Sequence, residues 1–185
     1  IDNISEQILE ISNHFGKRML VLCTSYKQAS QIKNRLKPQF SRIKKRLLVH
    51  EKGRSKSSLI RAYKGSKDSV LIGTMAFWEG IDLPGSELSI LMMIRIPFSN
   101  PNDPYIRYMN EKLSSQGKNG FNELQVPEAC LKMKQGFGRL IRTEHDSGIF
   151  IITDPRIYNS SYGHKILNSF SVETNPYQHF STILN

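Results

Sequence analysis

The chain has 185 residues, 38% of them hydrophobic and 23% charged; 26 lysines and arginines against 16 acidic residues give a formal charge of +10. That length buries a core without staples, no apolar run reaches the roughly 20 residues that cross a bilayer, and no charged-then-apolar leader opens the chain. Such an excess of cations points to an anionic partner, nucleic acid before others, and two cysteines, Cys23 and Cys130, make no disulfide framework and suit a reducing cytoplasm.

Ser5 is placed to cap a helix with the apolar face Ile8, Leu9, Ile11 and Phe15, ended by Gly16. Met19–Cys23 reads as a buried strand, followed by an amphipathic helix over residues 27–36 that Pro38 stops. Residues 47–49 form a short strand and 57–64 a helix ending at Gly65. Residues 70–72 lead into a glycine-punctuated loop, and 88–96, interrupted by Arg95, is the longest strand. The polar stretch 114–123 reads as a loop. Pro127 suits the first position of a helix running to Arg142, and 148–153 is the last strand. Near-continuous apolar strands alternating with helices predict an α/β fold, a mostly parallel sheet covered by helices on both faces in three layers. Ligands in such sheets gather beyond the carboxyl ends of the strands, here at residues 24–27, 73–85, 97–103 and 154–162.

The densest chemistry lies in Gln135-Gly136-Phe137-Gly138-Arg139-Leu140-Ile141-Arg142. On one continued helix, positions 135, 139 and 142 fall within about 60° of one another. An amide and two guanidiniums then share a stripe, and the glycines admit another surface. Neighbouring arginines repel, and a phosphate facing them relieves that, because guanidinium forks match phosphate oxygens. An exposed basic helix face is an equal alternative on spacing alone. In residues 73–85, Glu79 and Asp82 are able to accept from ribose hydroxyls or orient the arginines, and Gly80 lets backbone approach a ligand; a solvated turn is the alternative. Phe77 and Trp78 suit base stacking, with core packing expected of at least one. Arg42, Lys44, Lys45, Arg46, Lys52, Arg54 and Lys56 form a basic cluster, either a solvated face or a phosphate-contacting rim. The five histidines show no metal-ligand spacing and are expected at the surface or at helix ends, so no metal site is expected.

These blocks, in this order, resemble the DinG/XPD-like branch of superfamily 2 DNA helicases. Val21-Leu22-Cys23-Thr24-Ser25-Tyr26 is similar to motif IV, and residues 73–85, with Glu79-Gly80-Ile81-Asp82, to motif V. Gln135 to Arg142 is similar to the motif VI pattern Q-x-x-G-R-x-x-R, and Asp154-Pro155-Arg156 with Tyr162-Gly163 to the D-x-R…Y-G segment. The likeness runs from about residue 19 to 170.

The resemblance implies that residues 1–185 are a single RecA-like second motor domain, the C-terminal helicase domain. The first motor domain, with its P-loop, lies elsewhere in the same polypeptide. That fits a chain opening on Ile1 and lacking G-x-x-x-x-G-K-[ST], since Gly16-Lys17 is followed by Arg18 and Gly117-Lys118 by Asn119. In this family ATP sits between the two motor domains, with Mg2+ held mainly by the first. The resemblance implies Arg142 and then Arg139 as arginine fingers beside Gln135. It puts Glu79, Gly80, Asp82 and Gly138 along the nucleotide, and Thr24, Ser25, Tyr26 and Thr74 on single-stranded DNA or a DNA junction. The activity so implied is that of an ATP-dependent DNA helicase or translocase; the alternative is the helicase-like regulatory half of a DinG-type 3′–5′ exonuclease that does not unwind. The iron–sulfur cluster of many relatives belongs to the first half. By itself this chain is expected to hydrolyse no ATP, or almost none.

Overall fold

Apolar runs with no polar face must be covered on both sides, and the strands of this chain are built that way. In a computed structural model, which describes residues 2–78, 83, 87–170 and 172, they are β1 (Met19–Cys23), β2 (Leu47–Val49), β3 (Val70–Thr74), β4 (Ile90–Met93) and β5 (Ile149–Ile152). All pair in parallel in the order β2-β3-β1-β4-β5, with Met19 opposite both Val70 and Ile90, and Ile90 opposite Ile149. Every residue of β1, β3 and β4 is buried.

Alternate residues face opposite sides of a sheet. On one side Met19, Val21, Val70, Ile72, Ile90 and Met92 pack with Ile8 and Ile11 of α1 (Asp2–Phe15) and with Ile32, Leu36 and Phe40 of α2 (Tyr26–Arg42). On the other side Phe77 of α4 (Met75–Trp78) lies against Gly73, and Phe137 of α6 (Val126–Leu140) has its ring 5.9 Å from that of Phe150. Helices therefore cover both faces, and the expected three-layer α/β architecture holds.

Several element boundaries differ from expectation, each for a local reason. α1 starts at Asp2, so Ser5 is an interior, buried residue instead of a cap. The apolar face begins one turn earlier, at Ile4, which packs on the core. Gly16 does end α1, with φ +54 and its amide on the Ser12 carbonyl. α2 is capped by Ser25 and continues through Pro38 to Arg42, because Phe40, beyond the proline, is drawn into the core. α3 (Lys56–Lys64) is capped by Ser55. β4 is shorter than its apolar run, since a strand is only as long as its partners: Leu88, Ile94 and Ile96 are buried outside it.

Three helices escape the apolar pattern. α5 (Pro104–Ser115) is capped by Asp103, whose carboxylate accepts from the amides of Tyr105 and Ile106. Only Ile106 on it is buried, so its hydrophobic stripe is too thin to read. The expected loop 114–123 is narrower in the structure: residues 116–119 connect the end of α5 to a π-helical turn, Phe121–Gln125, that leads into α6. The expected loop 154–162 holds α7 (Arg156–Asn159) and the start of α8 (Ser161–Leu167).

The basic cluster is not a uniform rim. Arg46 donates to the Ala62 carbonyl at 3.0 Å, and Arg18 to those of Ser66 and Lys64 at 2.8 and 3.0 Å. Two guanidiniums thus collect carbonyls at the end of α3, where helix-terminal oxygens lack partners and the dipole favours cations. Lys45 is tied to the Ser12 carbonyl and Arg54 to that of Val49.

The chain divides into two compact units: one holds the sheet, with residues up to Arg95 and Phe137–Thr153, and the other Ile96–Gly136 with Asp154–Thr174. The division falls within α6, between Gly136 and Phe137.

Two outcomes follow from the sheet unit. Pro38→Ala restores a donor to the Asn34 carbonyl; the helix-interior penalty of about 3 kcal/mol less the roughly 0.4–1 kcal/mol that proline takes from the unfolded chain predicts a gain of about 2 kcal/mol in urea denaturation. Burial in β1 pushes the Cys23 thiol up to about 12. Iodoacetamide at pH 8 should therefore modify Cys130 well before Cys23 in the native chain, with both reacting alike once it is unfolded.

Candidate functional site

The motif around Arg139 and Arg142 is shaped by how α6 ends. The Ile141 amide still bonds the Phe137 carbonyl, at 2.9 Å. The next two amides, of Arg142 and Thr143, instead donate to Asp146 Oδ2 at 2.9 and 2.8 Å. Those backbone hydrogen bonds, Arg142's first, hold the Asp146 carboxyl below its usual value. The helix therefore stops at Leu140, and Arg142 stands outside it, which corrects the single helical stripe expected for Gln135, Arg139 and Arg142. Gln135 and Arg139 are on α6; Gln135 is exposed and belongs to the second unit, and Arg139, partly exposed, belongs with Arg142 to the sheet unit. Between them Gly138 is open, since a Cβ there would meet nothing within 4 Å.

Arg142 is not loose. Its Nη2 donates to the Leu83 carbonyl at 3.1 Å, and Leu83 is completely buried. The guanidinium is thereby fastened to the main chain of the segment 73–85. Glu79, Gly80 and Asp82, expected on that segment to line the nucleotide, lie outside the described residues, as does the Trp78 side chain. Phe77 is wholly buried, the core outcome.

At the carboxyl ends of β1 and β3, Cys23 pairs with Thr74, so the start of α2 lies beside the start of α4. Ser25 Oγ accepts from the Gln28 amide at 3.2 Å, and Gln28 Oε1 accepts from the Thr24 amide and hydroxyl at 3.2 and 3.4 Å. Both hydroxyl residues are thus engaged in capping while remaining exposed. Tyr26 follows them, 41% exposed. Thr74 is buried, and among the described residues its hydroxyl has no partner. His50, expected at the surface or a helix end, is also buried, 5% exposed, between Tyr26 and Phe77. Burial, and then the charge of Lys56, hold its pKa below the usual value, which keeps the ring neutral.

The segment Asp154-Pro155-Arg156 with Tyr162-Gly163 builds the second unit. Asp154 Oδ2 accepts from the Ile96 amide at 3.0 Å, and Arg156 grips both carboxylate oxygens at 2.6–3.1 Å. The same guanidinium lies 5.5 Å from the Phe98 ring centre, and Phe98, Phe121 and Tyr162 contact one another at 5.1–5.4 Å. A Cβ on Gly163 would stand 2.1 Å from the Ile157 carbonyl, so only glycine fits there. These contacts are structural. Asp146 and His50 carry roles that spacing did not suggest; the signal for Asp146 was a carboxylate four residues beyond Arg142, within reach of amides a helix leaves unpaired.

Residues 8–173 match the family model described as a helicase C-terminal domain. The chain belongs to that family. It is 38% identical over 153 residues to the 3′-5′ exonuclease DinG of Bacillus subtilis strain 168, covering 82% of this chain and 16% of that protein. It is 35% identical over 170 residues to the ATP-dependent DNA helicase YoaA of Haemophilus influenzae, covering 91% of this chain and 26% of that protein. The chain thus spans about a quarter or less of these curated relatives. A solved XPD helicase superposes with a TM-score of 0.66 at 23% identity, over 92% of this chain and 30% of that one, which gives the fold: RecA-like. This is a helicase C-terminal domain of the DinG/XPD type, and among its described residues no helix is long and apolar enough to cross a membrane.

In this helicase domain, Asp154→Ala leaves the buried Ile96 amide without its acceptor and should cost about 2–3 kcal/mol in urea denaturation. Burial raises the Asp154 pKa, but the hydrogen bonds from Arg156 and Ile96 outweigh it and the net shift is downward. A carboxylate with a lowered folded pKa contributes above its unfolded value, about 3.9, and stops contributing as pH falls through the lowered one. The stability gap between wild type and variant should stay constant from pH 5 to 8 and close below about pH 4.

Proposed function

We propose that residues 1–185 act together as the second motor domain of an ATP-dependent DNA helicase or translocase, completing an ATP site whose P-loop lies in the first motor domain of the same polypeptide. The observation that carries this is the Arg142 guanidinium, fixed at its root by Asp146 and at its tip by the Leu83 carbonyl. A guanidinium fastened to the main chain is preorganised, and a preorganised donor is worth more to a developing charge than a mobile one. ATP with Mg2+ supplies the γ-phosphoryl group that is transferred to water. Arg142, with Arg139 close behind, offsets the charge on its oxygens, worth about 10³–10⁵ in rate for an arginine finger. Gln135 of the same motif is assigned to the γ-phosphate as well, and open Gly138 lets the facing domain approach. Glu79, Gly80 and Asp82 take the nucleotide's flank.

On the strand side, Thr24, Ser25, Tyr26 and Thr74 contact single-stranded DNA, or the single-stranded arm of a junction, at its backbone and one base. Hydroxyl and amide contacts of this kind position a strand without reading its sequence. The formal charge of +10 strengthens phosphate binding and makes it salt-dependent. Putting the fingers on the domain opposite the P-loop makes hydrolysis wait for closure, so closure moves one strand-gripping domain against the other.

In the full-length protein, Arg142→Ala should lower DNA-stimulated ATPase by about 10³-fold or more, and Arg139→Ala less. Steady-state phosphate release checks this, and unchanged rates in both variants would overturn the finger assignment. Strand separation and nuclease assays on the same preparations divide the readings: ATPase with DNA cutting but no unwinding would make this domain a nuclease regulator.

A further inference from the structure

Three aromatic rings from three segments of the sheet unit contact one another in succession. Tyr26 opens α2, His50 follows β2, and Phe77 belongs to α4. The Tyr26 and His50 ring centres are 5.4 Å apart, and those of His50 and Phe77 4.5 Å, both tilted. These are contact distances for aromatic pairs. The row runs from an exposed end to a fully buried one: Tyr26 is 41% exposed, His50 5% and Phe77 0%.

The buried end has nowhere to retreat. Phe77 occupies the space that a Cβ on Gly73 would need, 2.8 Å from its Cδ1, so the ring sits directly on the backbone of β3. The middle is equally constrained, for the His50 amide bonds the Ile72 carbonyl at 2.8 Å and fixes its backbone to the sheet. A close-packed row of this kind transmits a displacement instead of absorbing it. α4 is a single turn that follows β3 directly. We infer that His50 is a positioning residue which, wedged between Tyr26 and Phe77, ties a nucleobase stacked on Tyr26 to the placement of α4. His50 itself touches no ligand. It gives the exposed tyrosine a rigid backing, so that occupation of the outer ring by any base of a single strand steadies the helix leading toward the nucleotide side. The ligand class follows from the ring: every base offers a π-face, so the response is sequence-tolerant.

This inference rests on the strand contact proposed for Tyr26, and its test does not use ATP hydrolysis. Amide hydrogen exchange is followed in the full-length protein, without nucleotide, with and without saturating oligodeoxythymidylate. In wild type the strand should slow exchange of the α4 amides roughly fivefold, the low end of one base–aromatic stack. His50→Phe should keep that slowing, and His50→Ala should abolish it while the protein still binds the oligonucleotide. Because His50→Ala empties a buried site and risks misfolding, Tyr26→Ala, at the exposed end, provides the second arm and should abolish the slowing as well. Equal slowing in either alanine variant, loss of it in His50→Phe, or no slowing in wild type would each overturn the inference. Failure of the arginine-finger reading shows separately, as unchanged ATPase in the Arg139 and Arg142 variants with the exchange response intact.

Discussion

A parallel sheet with both faces covered imposes one condition on everything attached to it. Each strand must be re-entered from the same end, so every connection crosses a face and every strand's carboxyl end opens on one edge. In this chain the condition is strict, because β1, β3 and β4 have no exposed residue. The order β2-β3-β1-β4-β5 then makes neighbours of segments far apart in sequence. Residues 24–26 meet residues 74–77 because Cys23 and Thr74 are paired, and Arg142 reaches the Leu83 carbonyl 59 residues away. The chemistry sits where the sheet's register puts it.

At the helix ends around the sheet, polar groups do structural work before any ligand arrives. Ser25 and Gln28 satisfy the start of α2, Asp146 takes the two amides beyond α6, and Arg18 and Arg46 take the carbonyls at the end of α3. Each answers the same requirement, that helix ends leave backbone groups unpaired. Arg46 and Arg54, which look like part of a phosphate rim in sequence, also bond backbone carbonyls while staying exposed and charged.

The strands were legible because an unbroken apolar run has one meaning in an α/β chain, and the alternation of such runs with helices carries the layer order. Boundaries were less so. Pro38 reads as a stop, yet Phe40 beyond it is buried, and burial outweighs one missing helix hydrogen bond. α5 was invisible to periodicity because Ile106 alone is buried on it, although Asp103-Pro104 is a helix-start signature. At the site, the motif spacing picked out the arginines and the segment 73–85, and it could not show that Arg142 stands off the helix. That depends on Asp146, a residue no motif names. His50 was misjudged for a related reason: a lone histidine gives no hint of burial until the rings on either side of it are placed by the fold.

Anchoring and incompleteness in this domain are connected. The role proposed for Arg142, on a phosphate presented by another domain, requires its direction to be set beforehand, because ordering it at closure would cost side-chain entropy when the site assembles. The Leu83 bond and the Asp146 cap meet that cost during folding. They also make Arg142 report on the segment 73–85, since any shift of Leu83 re-aims the guanidinium. The same segment contains α4, where the row of rings from Tyr26 terminates. On the reading proposed above, a strand that steadies α4 acts within the same stretch of chain whose Leu83 carbonyl holds Arg142.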